Sequence, residues 1–240
     1  MNPAEIKIVL VRPRNPDNIG AAARAMANFG LSELALVGAF DSDWNEAAKN
    51  WRLEASVSAI HSMDVVESAR LYGSITEAAA DCALILGTSA LHWLKPDRDV
   101  ILLSRAADYI AANSAGKTAV LFGCEKTGLT NEELSFCRAI INIPTLPKQP
   151  SMNLGQAVAV TAYELAARGA ASAPAAVREN IEAIPEEIER TVRLISEKLQ
   201  RDAGPHWGGE AQVREIRRGL TDARLTKGAM NALKQLLKGK

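Results

Sequence analysis

Three segments of the 240-residue sequence combine residue types that could bind a ligand or support a reaction. The first, residues 12–24, leaves an apolar run and enters an alanine-rich stretch typical of a helix. It carries three arginines, Arg12, Arg14 and Arg24. Either Asp17 or Asn18 is expected to cap the helix. Guanidinium groups beside the free N–H groups of a helix start suit a phosphate or another anion. A capped helix with a solvated arginine is the alternative.

The second segment, residues 121–129 with the sequence LFGCEKTGL, follows a predicted strand and places Glu125 between Gly123 and Gly128. Glycines at the carboxyl end of a strand let the backbone come close to a ligand, and parallel sheets bind ligands at that edge. The segment has neither a dinucleotide fingerprint nor the Gly-Lys-Ser/Thr of a P-loop, so it does not predict a cradle for nucleotide phosphates. A bare turn is the alternative.

The third segment, residues 143–155, has three prolines within seven residues and then opens a helix. Because proline has no amide donor, several carbonyls of this stiff segment are left without local partners. Those carbonyls suit a ligand with amino donors, such as an adenine ring. The alternative is that Ser151 or Asn153 is only an N-cap after a proline-rich connector.

Short apolar runs alternate with helical periodicity around these segments, a pattern typical of an α/β fold with a parallel sheet and helices on both faces. The predicted strands are residues 6–11, 34–39, 83–86, 119–123 and 139–143. The predicted helices are residues 18–29 (ending at Gly30), 75–80, 103–112, 131–137 (with a Thr130–Glu133 capping box) and 154–167. Residues 1–168 are expected to form one domain.

The composition changes at residues 169–176, GAASAPAA, which we interpret as a linker because Pro174 interrupts any regular helix. No strand-like run follows. Three amphipathic helices are predicted within residues 177–240, over residues 185–200, 212–220 and 227–237. Residues 177–240 are therefore expected to form a small all-helical extension.

The net charge of zero hides an uneven distribution. The chain has 28 lysines and arginines against 28 acidic residues, and this average argues against a nucleic-acid partner. Residues 211–240, however, hold eight basic and two acidic residues, so a basic tail follows an acidic body. Clustered positive charge is what an RNA-binding surface needs. We therefore predict RNA contacts from Arg214, Arg217 and Arg218 in the tail, and from the three arginines of the first segment.

Cysteine, histidine and hydropathy patterns exclude several classes of protein. Three cysteines without a Cys-x-x-Cys pair, and three scattered histidines, predict neither a disulfide framework nor a metal site. No run reaches the roughly 18 apolar residues of a membrane span, and the first residues do not resemble a signal peptide. These patterns predict a cytoplasmic protein.

Together the three segments resemble the signature motifs of the SpoU, or TrmH-like, branch of the SPOUT methyltransferases, over about residues 5–168. The matching residues are NIGAAAR at 18–24, FGCEKTGL at 122–129, and IP and SMNL at 143–144 and 151–154. GTSA at 87–90, TNEEL at 130–134 and the helical tail are most similar to the TrmJ group. The resemblance implies a C-terminal trefoil knot and a homodimer with active sites completed across the interface. It also implies that the helical extension supports RNA binding or the dimer. The implied activity is S-adenosylmethionine-dependent 2′-O-ribose methylation of tRNA, at anticodon-loop position 32.

The resemblance also implies roles for individual residues. The residues that match the family's S-adenosylmethionine site are Thr88, Ser89, Ala90, Gly123, Gly128, Ile143, Ser151, Met152 and Leu154. Those that match its catalytic positions are Arg24, Asn18, Glu125, Ser151 and Asn153, and Lys126 is a further candidate RNA contact. A guanidinium stays protonated above about pH 12, so we expect Arg24 to stabilise the developing alkoxide rather than to act as a general base.

Two departures from the family pattern concern the RNA surface. Cys124 stands where relatives tend to carry a basic residue, and LHWL at 91–94 stands where an arginine is expected. The catalytic motifs are shared by SpoU-type enzymes that act on another tRNA site or on rRNA, and a catalytically silent RNA-binding relative would keep the same fold. Both are alternatives at this point.

Overall fold

Seven parallel strands form the sheet that carries the three segments. The computed structural model describes residues 2–39, 45–91, 96–168, 183–204, 206–223 and 225–238. The strands are β1 Ile6–Val11, β2 Glu33–Val37, β3 Arg70–Tyr72, β4 Leu84–Thr88, β5 Asp99–Leu102, β6 Thr118–Phe122 and β7 Ala139–Asn142. Their order is β3-β2-β1-β6-β4-β7-β5, and each of these pairings is parallel.

Helices cover both faces of the sheet, as the sequence predicts. They are α1 Pro16–Asn28, α2 Asn45–Ser56, α3 Met63–Ser68, α4 Ile75–Ala78, α5 Ala106–Asn113, α6 Asn131–Leu134, α7 Leu154–Ala162, α8 Pro185–Ala203, α9 Glu210–Asp222 and α10 Lys227–Lys238. Alternate residues of β1 point to opposite faces: Ile8 and Leu10 join one buried cluster with α1 and α7, while Val9 and Val11 join another with α4 and α6. A strand buried on both faces is typical of a parallel sheet.

The parallel arrangement brings the three segments to one edge of the sheet. Val9 of β1 is in register with Ala35 of β2 and with Leu121 of β6. Strands β1, β4, β6 and β7 therefore all end on the same side. The chain leaves that side in the loops at residues 12–15, 89–91, 123–130 and 143–153. This edge is where open α/β sheets bind ligands.

Helix α1 begins differently from the prediction, and this changes which residues are free to act. The N-cap is Asn15, whose side chain accepts a hydrogen bond from the Asp17 amide at 2.9 Å, and Pro16 occupies the first helical position. The prediction of Asp17 or Asn18 as the cap is therefore wrong, because proline fixes the helix start two residues earlier. The end is as predicted: Gly30 has a φ of 74°, and its amide bonds the Ala27 carbonyl in a Schellman motif.

A close contact between α1 and α7 fixes the position of the third segment. A Cβ atom placed on Gly155 would lie 2.7 Å from the Cβ of Ala21, so only glycine allows the two helices to approach this closely. The side chain of Asn153 caps α7 by accepting from the amides of Gly155 and Gln156. Helix α7 ends at Ala162 and continues as a π-helical turn over Tyr163–Arg168, where the sequence predicts one helix to 167.

The sequence pattern does not predict the edge strands β3 and β5 or the helices α2 and α3. β3 and β5 lie at the two edges of the sheet and are largely exposed. β3 is only three residues long, and the apolar residues 100–102 of β5 adjoin the helix predicted at 103–112, so the sequence pattern separates neither strand from its surroundings. The sequence prediction has no element over residues 45–68, where α2 and α3 lie. Helix α6 is shorter than predicted, ending at Leu134, but its Thr130–Glu133 capping box is present.

The predicted linker, residues 169–176, lies outside the described residues. Beyond it the described chain forms α8, α9 and α10, close to the predicted spans. The carboxyl end of α9 contacts the sheet domain: Arg138 donates to the Thr221 carbonyl at 2.6 Å, and Arg98 donates to Asp222 at 2.9 Å. Among the helices described, none combines the length and the apolar character needed to cross a membrane.

Candidate cofactor and RNA site

A cavity of about 360 Å³ opens at the sheet edge where the three segments meet. This volume lies in the range of small-molecule sites in proteins. The cavity is lined by all nine residues matched to a cofactor site: Thr88, Ser89, Ala90, Gly123, Gly128, Ile143, Ser151, Met152 and Leu154. Glu125 and Lys126 also contribute to its wall. The structure thus brings together residues that are up to 66 positions apart between Thr88 and Leu154.

Hydrogen bonds hold the loop that follows β4 against its neighbours. The Thr88 hydroxyl donates to the Leu121 carbonyl at 2.9 Å, and the Ser89 amide donates to the Ile141 carbonyl at 3.1 Å. The Asn142 side-chain amide donates to the Ser89 carbonyl at 3.0 Å. The wall made by residues 88–90 is therefore fixed to β6 and β7 before any ligand binds.

The loop after β6 folds back on itself, and glycine makes this possible. The Gly128 amide donates to the Cys124 carbonyl at 2.7 Å. A Cβ atom on Gly123 would lie 2.1 Å from the Gly128 carbonyl carbon and from the Leu129 nitrogen, so no other residue fits at that position. Gly128 itself has a φ of 67°, the left-handed region that favours glycine. The two glycines allow the backbone to fold back at these positions. The loop forms a wall of the cavity and is not a bare turn.

One chain of hydrogen bonds links all three segments. The Glu125 carboxylate accepts from the amides of Arg14, at 3.0 Å, and Asn15, at 3.1 Å, and from the Asn18 side chain at 2.9 Å. Asn18 in turn accepts from the side-chain amide of Asn153 at 2.9 Å. Four of the predicted catalytic residues lie in this region, because Ser151 lines the adjacent cavity.

The anion at the start of α1 comes from the chain itself. The sequence predicts a phosphate or anion site there, and the structure fills those amide donors with the Glu125 carboxylate. An external phosphate at the same amides would need to displace a charge-assisted set of hydrogen bonds. We therefore correct this prediction: the backbone donors position the second segment, and only side-chain guanidinium groups are left for an external anion.

The arginines of the first segment have different environments. Arg12 donates to both carboxylate oxygens of Glu133, at 2.6 and 2.8 Å, and therefore has a structural partner. Arg14 is exposed. Arg24 is also exposed, and it makes no hydrogen bond or ion pair with any residue that the structure describes. Arg24 lies one turn after Ala21, so it sits beside the seam between α1 and α7.

The tail arginines are engaged by acidic residues. The Arg217 side chain is 6% exposed and binds Glu132 and Glu189, so the exposed RNA contact predicted for it does not match its burial. Arg214 lies 3.9 Å from Glu132, and Arg218 lies 3.7 Å from Asp97. The prediction missed these pairs because Glu132 and Asp97 lie more than 80 residues before the arginines they bind, and Glu189 lies 28 residues before Arg217.

Comparison with known proteins agrees with this geometry. The profile of the SpoU rRNA Methylase family matches residues 5–163, which include β1 through α7. The chain belongs to the SpoU methylase family. A tRNA (cytidine/uridine-2′-O-)-methyltransferase TrmJ of Yersinia pestis is 32% identical over 246 residues, covering 97% of this SpoU methylase and 90% of the relative. A tRNA (cytidine/uridine/adenosine-2′-O-)-methyltransferase TrmJ of Pseudomonas aeruginosa is 38% identical over 165 residues, covering 67% of the chain.

The coverage of the relatives is unequal. In the Pseudomonas relative and two others at 35–38% identity, the matched stretch spans only 60–66% of the relative's own length. The crystal structure of TrmJ from Z. mobilis ZM4 superposes with a TM-score of 0.82 at 30% identity, covering 98% of both chains. This similarity includes the α/β sheet and its flanking helices.

The described part of this SpoU methylase contains no candidate site for a reactive cysteine or for a metal ion. Its three cysteines are free and buried. Burial raises the pKa of Cys82 and of Cys137 to about 12, so both thiols stay protonated. Within the described residues no group of histidine, cysteine or acidic side chains could hold a metal ion.

The Glu133 carboxylate makes the stability of this SpoU methylase depend on pH. Burial alone would raise the pKa of Glu133, but hydrogen bonds from Arg12 and from the Thr130 amide hold it below its usual value. A lowered pKa adds stability above the unfolded value of about 4.3, and this stability is lost as the pH falls through the folded value.

Glu133→Gln should lower the free energy of unfolding by about 1–2 kcal/mol at neutral pH, because it removes the charged partner of Arg12. Glutamine keeps the capping box, so the effect isolates the charge. Urea unfolding at neutral pH and near pH 3 measures it. The two proteins should converge in acid, and a difference of the same size at both pH values would contradict this account.

Proposed function

We propose that this chain transfers a methyl group from S-adenosylmethionine to a ribose 2′-hydroxyl of tRNA, at anticodon-loop position 32. The observation that carries the proposal is the hydrogen-bond chain from Glu125 through Asn18 to Asn153, which joins the three segments beside the cavity. The TrmJ names of the relatives in Yersinia pestis and Pseudomonas aeruginosa, tRNA 2′-O-methyltransferases, support the choice of substrate.

The residues that line the cavity fit S-adenosylmethionine. Apolar side chains, among them Leu91, Ile143 and Met152, suit the faces of an adenine ring. The proline-rich segment from Ile143 to Pro150 supplies carbonyl acceptors and few amide donors, which suits an exocyclic amino group. Ser89 and Ser151 add hydroxyl groups for the polar ends of the ligand. The bound cofactor supplies an electrophilic methyl group on a sulfonium.

The protein's own residues must hold the ribose and help its hydroxyl lose a proton. The reaction breaks the carbon–sulfur bond, forms a carbon–oxygen bond and releases the hydroxyl proton to a phosphate oxygen or water. Arg24 is exposed and free to bind the phosphate next to that ribose, where it would stabilise the developing negative charge. Asn18, Glu125 and Asn153 keep the three segments in place.

The proposal includes a homodimer in which Arg24 of one subunit serves the cavity of the other. Two features of the α1–α7 seam support it. Val160 and Tyr163 on the α7 side are 38% and 47% exposed, and Tyr163 packs its ring against Phe29 at the end of α1. Apolar side chains beside an exposed arginine suit a subunit contact.

We further propose that the segment 143–153 passes through the loop at 123–130 to form a trefoil knot. The sheet order supports it, since β7 lies beyond β4 while α7 returns to pack on α1 at the other side of β6. We also propose a division into a domain at 1–168 and a helical extension at 177–240, and a cytoplasmic location, which three free thiols support.

The proposed RNA surface is smaller than the sequence predicts. Arg14, Arg24 and Lys126 are exposed and retain their proposed contacts with RNA. Arg12 and Arg217 are assigned to structure because carboxylates hold them. Arg214 and Arg218 are partly exposed, at 36% and 37%, and we propose that they make weaker contacts at the edge of the surface.

Methyl transfer from labelled S-adenosylmethionine to an unmodified tRNA transcript tests the proposal. We expect label on the ribose of position 32, located by mass spectrometry of nuclease digests. A transcript with a 2′-deoxynucleotide at that position is the matched control and should stay unlabelled. Label at another tRNA nucleotide or in rRNA would favour the other SpoU-type activities. Tight tRNA binding without label would favour the silent RNA-binding relative.

A further inference from the structure

We infer that Arg217 of the C-terminal helices is a positioning residue for the cavity, acting through helix α6. The inference rests on the proposed function only for its measurement of methyl transfer. The sequence assigns the tail arginines to RNA, whereas the contacts of Arg217 lead inward to the loop that forms one wall of the cavity.

Arg217 is the residue through which α9 holds α6. Its Nη1 atom donates to Glu132 at 2.6 Å and to the Ser135 hydroxyl at 2.7 Å. Its guanidinium carbon lies 4.3 Å from the centre of the Phe136 ring. On the other side, Nε and Nη2 bind Glu189 of α8 at 2.9 and 3.1 Å. The buried Arg217 side chain of α9 therefore binds both the short helix α6 and helix α8.

Helix α6 connects Arg217 to the first and second segments through the contacts of Glu133. Glu133 is the neighbour of Glu132, and its carboxylate accepts from the Thr130 amide at 2.7 Å and from Arg12. Arg12 also donates to the Gly128 carbonyl at 3.3 Å. Gly128 lines the cavity. A shift of α6 would therefore move the carboxyl end of the loop at 123–130.

The buried side of α6 supports a second wall. A Cβ atom placed on Gly87 would lie 2.7 Å from Leu134 Cδ2 and 3.0 Å from Cys137 Sγ. Gly87 precedes Thr88, which lines the cavity. This tight packing leaves α6 little room to relax without displacing β4. The contact with α9 is strengthened by Arg98, which bridges the Ser135 carbonyl and Asp222, both at 2.9 Å.

The contact between α9 and α6 depends on the charge of the Arg217 guanidinium. Glu132 and Glu189 both bind the same guanidinium, so without it two carboxylates would face each other across the interface. Removing the guanidinium would leave these two carboxylates, whose side chains are 50% and 25% exposed, without their shared positive partner. A lysine in place of arginine keeps the charge but lacks the fork that binds three groups at once.

The test compares Arg217→Met with the matched control Lys234→Met in the full-length protein. Lys234 pairs with Glu187 inside the extension and makes no hydrogen bond or ion pair with α6 among the described residues. We expect Arg217→Met to weaken S-adenosylmethionine binding on the order of tenfold by calorimetry and to speed amide exchange at residues 123–130. Lys234→Met should change neither. In methyl transfer the Arg217 variant should raise KM for the cofactor more than it lowers kcat.

Glu132→Gln and Arg217→Lys keep the inference falsifiable if the methionine variant folds poorly. Both should show intermediate cofactor affinity and intermediate exchange at residues 123–130. Equal losses in Lys234→Met, or unchanged exchange in folded Arg217 and Glu132 variants, would overturn the inference. A loss of tRNA affinity alone would also overturn it. If the wild type transferred no methyl group, the proposed function would fail, while exchange would still decide the role of Arg217.

Discussion

Arg24→Ala should reduce methyl transfer at least about 100-fold while S-adenosylmethionine binds with nearly the wild-type affinity. The size of the loss follows from removing a group that stabilises charge in the transition state. Cofactor affinity should persist because Arg24 neither lines the cavity nor takes part in the hydrogen-bond chain that joins the three segments. Its exposure also means that alanine should leave the fold intact.

Single-turnover methylation and calorimetry of cofactor binding measure the two halves of this result. Arg105→Ala is a matched control, since Arg105 is an exposed arginine, 76% accessible in its side chain, that precedes α5 outside the cavity. It should be fully active. If Arg24→Ala lost cofactor binding instead, the catalytic role would be wrong. Mixed dimers of Arg24→Ala with a cofactor-site variant should recover part of the activity if Arg24 acts across subunits.

Glu125→Gln should weaken both cofactor binding and methyl transfer, each by about 10- to 100-fold. The Glu125 carboxylate accepts from two backbone amides and from Asn18. Glutamine offers one acceptor oxygen and turns an NH₂ donor toward other donors, and unmade hydrogen bonds to a charged group cost about 1–3 kcal/mol. The second segment would then detach from the start of α1, and the cavity would lose the loop that carries Gly123 and Gly128.

The matched control for Glu125→Gln is Glu77→Gln. Glu77 also accepts from a backbone amide, that of Gly73 at 3.0 Å, but it lies in α4 and does not line the cavity. It should leave cofactor affinity unchanged. Asn18→Ala should resemble Glu125→Gln, because Asn18 links Glu125 to Asn153. Unchanged cofactor affinity in Glu125→Gln would show that the hydrogen-bond chain does not maintain the cavity.

The inner sheet and the cavity could be predicted because local signals coincide there. Buried strands appear as apolar runs, and the glycines and prolines of the second and third segments punctuate their ends. β1 begins and ends where the pattern predicts, at Ile6 and Val11. The edge strands β3 and β5 are not predicted because they are short, at three and four residues, and largely exposed. Motif resemblance then supplied the lining residues, which no periodicity indicates.

The roles of the arginines could not be predicted, because they depend on partners distant in sequence. Arg12 meets Glu133 and Arg217 meets Glu132, and a count of charges cannot tell a docking residue from an RNA contact. Within the described residues, Arg214, Arg217, Arg218 and Lys234 of the tail pair with acidic residues outside the tail. Arg24 makes no hydrogen bond or ion pair within the described structure, and its role at the reacting site stays a prediction.

The hydrogen-bond chain also sets when the site can exist. Asn18 and Glu125 are 107 residues apart, and Asn18 and Asn153 are 135 apart. Contacts this distant form late, since a long stretch of chain must be ordered before they close. During synthesis, a ribosome-bound chain would expose the first segment long before Asn153, the last residue of the hydrogen-bond chain, has been made. If the cavity binds the proposed cofactor, only the complete chain can do so, and a ligand that binds only the folded state shifts the folding equilibrium toward it by mass action.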